Sequence, residues 1–110
     1  MRNLKNSVQL IGNLGSDPEV ITFESGTKKA SFSIATNESY YNSEGEKVEE
    51  TQWHNIVVWG KKTDVVSKYL KKGSEIALEG KLIHRSYEKD GVRKNISEIN
   101  MNEMLMMDKK

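Results

Sequence analysis

The chain has 110 residues and a mass of 12.5 kDa, which is the usual size of one domain. Apolar residues make up 35% and charged residues 30%, so we expect one small core and not a disordered chain. Cysteine is absent, which excludes a disulfide scaffold, thiolate metal sites and cysteine nucleophiles. The N-terminus lacks the apolar stretch of a secretory signal, and no apolar run has the roughly 18 residues of a membrane span. We therefore expect a soluble cytoplasmic protein with no membrane partner.

The net charge is only +1, but the charges are unevenly distributed along the chain. Residues 38–50 contain five glutamates and one lysine, a net charge of −4. Residues 61–94 contain ten basic and five acidic residues, a net charge of +5. Such a separated field can attract an anionic partner, although an ordinary solvated surface explains the same counts.

The first half of the chain has the patterns of strands. Residues 4–14 and 19–23 form two extended runs, and Gly12 and Gly15 indicate bends in the first. Residues 28–40 alternate, so one face of this strand should carry Ala30, Phe32, Ile34 and Thr36. The acidic stretch 41–50 is typical of a loop or hairpin tip.

Residues 51–59 give the clearest strand, with Trp53 and Trp59 on one face and Ile56 on the other. The period then changes, and the spacing predicts a helix over 62–72. Thr63 is its expected N-cap, and the C-terminal end is expected at Lys71, Lys72 and Gly73.

Strand patterns return over 75–87, and Asp90-Gly91 predicts a tight hairpin before a last strand from Val92 to about Met107. This order predicts an all-β protein with one short helix, a five-stranded OB-fold barrel with long hairpin extensions. An SH3-like barrel has no natural place for the helix.

We find no pattern that indicates an enzyme, a metal site or a cofactor. His54 and His84 lack metal-ligand spacing, and the run Gly12-Asn13-Leu14-Gly15 lacks the remaining glycine of a dinucleotide-binding loop. His54 shares a strand face with Ile56 and Val58, which favours a packing or interface role over general-base chemistry.

The aromatic residues suggest binding. Trp53 and Trp59 could belong to the core, but if Ile56 and Val58 point inward, both indoles face solvent or a groove. Tyr40, Tyr41 and Tyr87 lie near strand ends, and lysine or arginine residues flank several of the rings. Flat rings interleaved with cations suit single-stranded nucleic acid, because bases stack on the rings while cations contact phosphates.

At these residues the sequence resembles the bacterial single-stranded DNA-binding protein family. The matching stretches, in family order over nearly the whole chain, are Gly12-Asn13-Leu14-Gly15-Ser16-Asp17-Pro18-Glu19-Val20, Ile34-Ala35-Thr36-Asn37-Glu38-Ser39-Tyr40, Thr51-Gln52-Trp53-His54-Asn55-Ile56-Val57-Val58-Trp59-Gly60-Lys61, Tyr69-Leu70-Lys71-Lys72-Gly73-Ser74 and Glu79-Gly80-Lys81-Leu82. The resemblance implies an OB-fold homotetramer that binds single-stranded DNA without sequence preference, in the cytoplasm at the nucleoid, during replication, recombination and repair.

The resemblance also implies roles for individual residues. The family's base-stacking positions fall on Tyr40, Trp53, Trp59 and Tyr87. Its phosphate-contacting positions fall on Arg2, Lys61, Lys71, Lys72, Arg85 and Lys94. Subunit contacts are implied for His54 and for the first strand, with Val8 and Leu10. Four positions that are often basic in the family are Ile21, Asn55, Ile83 and Ser86 here.

Residues 1–110 are expected to form a single binding domain with a short C-terminal end and no acidic tail. Many family members end in an acidic tip that recruits other proteins, and this chain ends Met107-Asp108-Lys109-Lys110, so tail-mediated recruitment is not supported by the sequence. An alternative is a tailless OB-fold paralogue that acts mainly as a protein-interaction module, as primosomal OB proteins do. The four retained aromatic positions favour DNA binding.

Overall fold

The computed structural model describes residues 5–107, and these residues form strands around one helix. The elements in chain order are β1 (Val8–Leu14), β2 (Glu19–Thr22), β3 (Lys28–Tyr41), β4 (Lys47–Trp59), α1 (Lys62–Tyr69), β5 (Glu75–Lys89) and β6 (Val92–Met106). Strands pair in the order β1-β5-β6-β4-β3, and β3 returns to the end of β1, so five strands close a barrel. β2 pairs with β3 outside that ring. The expected OB-fold barrel with one short helix is confirmed.

Two glycines allow the barrel to close. A side chain at Gly12 would overlap the carbonyl oxygen of Ala35, so glycine lets β1 approach β3 at the closure point. Gly80 lies at a β-bulge where the β5–β6 register shifts, and a Cβ there would lie 2.5 Å from the carbonyl oxygen of Asn100.

The core lies inside the barrel, and α1 covers part of it. The alternation predicted for β3 is confirmed, because Ala30, Phe32 and Ile34 are all buried. The other buried apolar side chains of this core cluster are Leu14, Ile56, Val58, Val66, Leu70, Ile76, Leu78, Ile99 and Met101.

The helix differs from its prediction at both ends. It stops at Tyr69 and not at residue 72, because Leu70 turns to an extended conformation and is buried in the core. Lys61 is the N-cap residue and makes no side-chain cap hydrogen bond. Thr63 lies inside the first turn, fully buried, and its hydroxyl donates a 2.7 Å hydrogen bond to the carbonyl oxygen of Gly60.

Two hairpins extend beyond the barrel. The β3–β4 ladder continues without a register break to Tyr41 and Lys47, so half of the acidic stretch 41–50 is strand and only residues 42–46 form the tip. The β5–β6 hairpin closes at Asp90 and Gly91, which both have positive φ as a type I′ turn requires. The radius of gyration of 16.1 Å exceeds the roughly 13 Å of a compact domain this long, as expected for projecting hairpins.

Within residues 5–107 the helical segment has eight residues, and no helix there is long and apolar enough to cross a membrane.

Candidate nucleic-acid interface

Trp53 and Trp59 lie on the outer face of β4. Ile56 and Val58 point into the barrel and are fully buried, so the alternation of the strand turns the two indoles outward. Trp53 is 61% exposed and Trp59 is 44% exposed. Neither ring is part of the core, and each offers apolar surface to a ligand.

Trp53 lies against the backbone of Gly15, which has no side chain. A Cβ at Gly15 would overlap ring carbons Cζ3 and Cη2 of Trp53, so the indole rests directly on the backbone that follows β1. The backbone N–H of Gly15 donates to the carbonyl of Ser33 at 3.0 Å, which fixes this surface to β3. The glycine therefore determines how the indole is oriented.

Trp59 has two neighbours that the strand pattern does not reveal. Its ring stacks with Phe23, with centroids 6.1 Å apart and planes 18° from parallel. The Lys29 ammonium lies over the same indole, 5.5 Å from the ring centroid, which is cation–π distance. Lys29 is placed there by register, because it pairs directly with Trp59 across β3 and β4.

The outer face continues from β4 onto the β5–β6 hairpin. β4 and β6 run parallel and pair at Val57 and Asn100, so the face that carries the tryptophans meets the outer face of β6. Farther along the hairpin, Tyr87 pairs directly with Lys94 on the same face and is 48% exposed. Three of the four predicted stacking rings therefore share one continuous surface, which we call the outer face.

Arg85 belongs to the outer face but is already paired. Its Nε and Nη2 donate to the two carboxylate oxygens of Glu98 at 2.9 and 2.8 Å. These hydrogen bonds, followed by the negative charge of Glu98, raise the pKa of Arg85 above its ordinary value. The guanidinium is thus oriented, and its charge is largely offset by the carboxylate.

Besides Lys94, the predicted phosphate-binding lysines lie in turns near the two tryptophans, and all four lysines are exposed. Lys61 follows Trp59 after the turn at Gly60. Lys71 and Lys72 lie in the turn after α1, where the backbone N–H of Lys72 donates to Asp17 at 2.8 Å. The same turn pairs with the end of β1 through Gly73 and Leu14, next to the surface that supports Trp53.

Tyr40 is not brought to the outer face. Tyr40 pairs with Val48 and therefore shares its side of the β3–β4 ladder. Along β4, Val48 lies an odd number of residues from both Trp53 and Trp59, so Tyr40 faces the side opposite to the tryptophans. Nearby, Glu38 pairs directly with Glu50, a like-charge pair that makes this hairpin acidic. Tyr41 lies on the Trp53 side and is highly exposed. Arg2 lies outside the described residues.

The residues predicted for subunit contacts are in mixed environments. His54 is half-buried, and its Nε2 lies 3.0 Å from the hydroxyl of Thr36. Val8 and Leu10 pack against the core of their own chain. Ile11 lies on the opposite face of β1 and is 58% exposed. Their part in a subunit interface stays a prediction.

The sequence patterns did not indicate Phe23 and Lys29 as site residues. Phe23 ends an extended run that contains no other aromatic residue, and the contact with Trp59 joins residues 36 positions apart. Pairing the strands that carry Lys29 and Trp59 would have revealed the cation–π contact. Among residues 5–107, no cluster of three or more His, Asp and Glu side chains could hold a metal ion.

Known proteins with similar sequences carry single-stranded DNA-binding names. The chain is 44% identical over 104 residues to single-stranded DNA-binding protein 1 of Chlorobaculum tepidum, covering 93% of this chain and 64% of that protein. It is 43% identical over 103 residues to the single-stranded DNA-binding protein of Neisseria meningitidis serogroup A, covering 93% of this chain and 59% of that protein. The chain thus spans about three fifths of the length of these curated relatives.

The solved structures agree with the sequence comparison. A Plasmodium falciparum SSB, solved in complex with single-stranded DNA, superposes with a TM-score of 0.89 at 33% identity and covers 98% of both chains. A deletion mutant of the Thermus aquaticus single-stranded DNA-binding protein gives a TM-score of 0.83 at 25% identity, covering 94% of this chain and 50% of that one. The model of the single-strand binding protein family matches residues 5–107, and the chain belongs to that family.

Proposed function

We propose that this chain binds single-stranded DNA without sequence preference and covers it during replication, recombination and repair. Unpaired bases stack on Trp53, Trp59 and Tyr87, with Tyr40 as a further ring on the β3–β4 hairpin. Lys61, Lys71, Lys72, Arg85 and Lys94 contact phosphates, as does Arg2 in the N-terminal segment. The chain acts by binding alone and needs no cofactor.

The observation that carries this proposal is the continuous outer face. Exposed rings on β4 and β5 share it with lysines on β3 and β6. Every base has a π-face, so stacking on such rings tolerates any sequence, and it contributes roughly 1–3 kcal/mol per base. The Plasmodium falciparum relative, whose structure was solved with single-stranded DNA, supports the same ligand here.

Titration with oligothymidylate tests the proposal, with tryptophan fluorescence as the signal. Trp53 and Trp59 are the tryptophans of the chain, so stacked bases should quench the emission strongly. Trp53→Ala and Trp59→Ala should each weaken binding by roughly 1–3 kcal/mol, by about the same amount for oligothymidylate and for mixed sequences.

Val65→Ala is the matched control, because Val65 is an exposed apolar residue on α1 and not on the outer face. It should bind as the parent does. Thermal melting of each variant separates loss of binding from loss of folding. Parental affinity in both tryptophan variants would contradict the stacking assignment.

We further propose that the chain assembles as a homotetramer. One edge of β1 pairs with β5, but among residues 5–107 no strand pairs with the other edge over residues 8–12. An open edge of this kind is a template for pairing with a second copy. On the adjoining sheet surface, Ile11, Ala77 and Leu105 form a cross-strand apolar row, and the two larger side chains are more than half exposed.

The proposal covers residues 1–110 as one binding domain acting in the cytoplasm at the nucleoid. A domain that serves mainly to bind other proteins is not favoured, because exposed rings that share a face with lysines suit base stacking together with phosphate contacts.

A further inference from the structure

We infer that Phe23 and Lys29 complete a composite base-binding subsite around Trp59, so that a base stacks on a two-ring platform with a cation beside it. This inference rests on the proposed single-stranded DNA binding and deepens it. It adds Phe23 from the β2–β3 connection and Lys29 from β3 to a site otherwise built on β4 and β5.

The first argument is the arrangement of the rings. Phe23 and Trp59 are nearly parallel, and a 6.1 Å centroid distance at this angle corresponds to an offset stack. An offset stack leaves part of each ring uncovered, and Phe23 is 43% exposed. The pair therefore presents a wider apolar surface than one indole alone.

The second argument is that the position of Phe23 is fixed before any ligand arrives. Its backbone N–H donates to Thr27 at 2.8 Å, and its carbonyl accepts from Gly26 at 2.8 Å across the turn between β2 and β3. Gly26 supplies the positive φ that this turn needs. Because the closed turn already fixes the backbone of Phe23, stacking of a base on its ring need not order that backbone, which favours binding.

The third argument concerns charge. Lys28 and Lys29 are neighbours on β3, but the ammonium of Lys28 forms an ion pair with Asp64 at 3.1 Å. The Lys29 ammonium lies over the Trp59 ring instead. A phosphate next to a stacked base is a stronger partner for an ammonium than the ring face is. Lys29 is therefore positioned to turn from the Trp59 ring to a phosphate of the bound DNA.

A purely structural role for the pair makes a different prediction. If Phe23 only shields the barrel where α1 approaches β2, its replacement should change stability and not affinity. Phe23→Leu separates the two roles, because leucine keeps the apolar packing but has no π-face. Phe23→Trp is the conservative variant, because it keeps a π-face of at least equal area.

The experiment measures oligothymidylate affinity by fluorescence anisotropy of labelled DNA, together with thermal melting of each variant. Phe23→Leu should bind at least about fivefold more weakly than the parent, the lower limit for one lost base stack, with its melting temperature nearly unchanged. Phe23→Trp should retain parental affinity. Lys29→Gln should reduce the log–log salt slope by about 0.7, which is one phosphate contact on a single strand.

The outcomes are distinct. If the parent itself fails to bind oligothymidylate, the proposed function is wrong. If the parent binds and Phe23→Leu binds equally well, or Phe23→Trp loses as much affinity as Phe23→Leu, the composite subsite is overturned while the proposed function stands. An unchanged salt slope in Lys29→Gln would remove Lys29 from the subsite.

Discussion

The two tryptophans of the outer face contact neighbours from other parts of the chain. Gly15 contributes only backbone, yet its lack of a Cβ leaves room for the Trp53 indole next to the end of β1. Phe23 from the β2–β3 connection stacks on Trp59, and Lys29 from β3 lies over the same ring. The surroundings of both indoles are therefore set by residues outside the strand that carries them.

The Arg85–Glu98 pair leads to a prediction about salt dependence. Glu98 is almost buried, and its carboxylate offsets the Arg85 charge at a place where phosphates are expected. Glu98→Gln should release that charge, tighten oligothymidylate binding at low salt and steepen the log–log salt slope by about 0.7. Binding measured at several salt concentrations checks this.

The double variant Arg85→Gln with Glu98→Gln is the control for the lost carboxylate itself. It removes the same negative charge but leaves no guanidinium to release, so its salt slope should return to the parental value. If Glu98→Gln alone keeps the parental slope, removing the carboxylate does not give Arg85 a new phosphate contact, and this prediction is wrong.

At the scale of elements, the alternation of apolar residues predicted the buried faces of the strands, whereas the capping signals misplaced the ends of the helix. Period-two patterns placed Phe32, Ile34 and Ile56 in the core because a half-buried strand has only two faces. The helix end was misplaced because Lys71 and Lys72 suit a C-terminus, while the burial of Leu70 requires the chain to turn earlier. Tertiary packing overrode local preference there.

The proposed binding surface was predictable only in part. Which β4 face carries Trp53 and Trp59 follows from their spacing, but which rings share one surface depends on register between strands distant in sequence. Register placed Tyr87 with the tryptophans and Tyr40 on the other side of its ladder. No local pattern along the chain contains that information.

The start of α1 gives a prediction about stability. The fully buried Thr63 hydroxyl donates to the Gly60 carbonyl, which joins the helix to the turn after β4. Thr63→Val keeps the shape but removes the donor, so it should lower the free energy of unfolding by about 1 kcal/mol. Urea denaturation measures the change.

Thr63→Ser is the matched variant, since it keeps the donor and loses a methyl group. If Thr63→Val is as stable as the parent while Thr63→Ser is not, the methyl packing matters more than the hydrogen bond. Because α1 follows directly after Trp59 and Gly60, both variants should also be checked for oligothymidylate binding.

At the scale of the whole molecule, a small barrel carries two long arms. The described residues measure 56 × 46 × 30 Å, and the side chains of both hairpins are mostly exposed beyond the barrel. Arms of this kind enlarge the surface available to an extended ligand without enlarging the core. They also add exposed residues to a small domain that buries only a limited share of its surface on folding. Self-association through the sheet would bury more of that surface.

The proposed tetramer gives the last prediction. Ile11 and Leu105 lie on either side of Ala77 in a row across β1, β5 and β6, so a charge at either end of the row would be buried in a subunit interface. Sedimentation velocity should give the parent a mass of about four chains, and Ile11→Glu and Leu105→Glu should each lower it, because an unpaired buried charge costs several kcal/mol. Val65→Glu places the same charge on the similarly exposed α1 surface and should leave the assembly intact.

Dissociated variants should keep the outer face of each chain but bind long oligothymidylate more weakly, because one DNA strand can no longer span linked sites. A parent that sediments as one chain at every concentration, or an Ile11→Glu variant that still sediments as a tetramer, would contradict this interface.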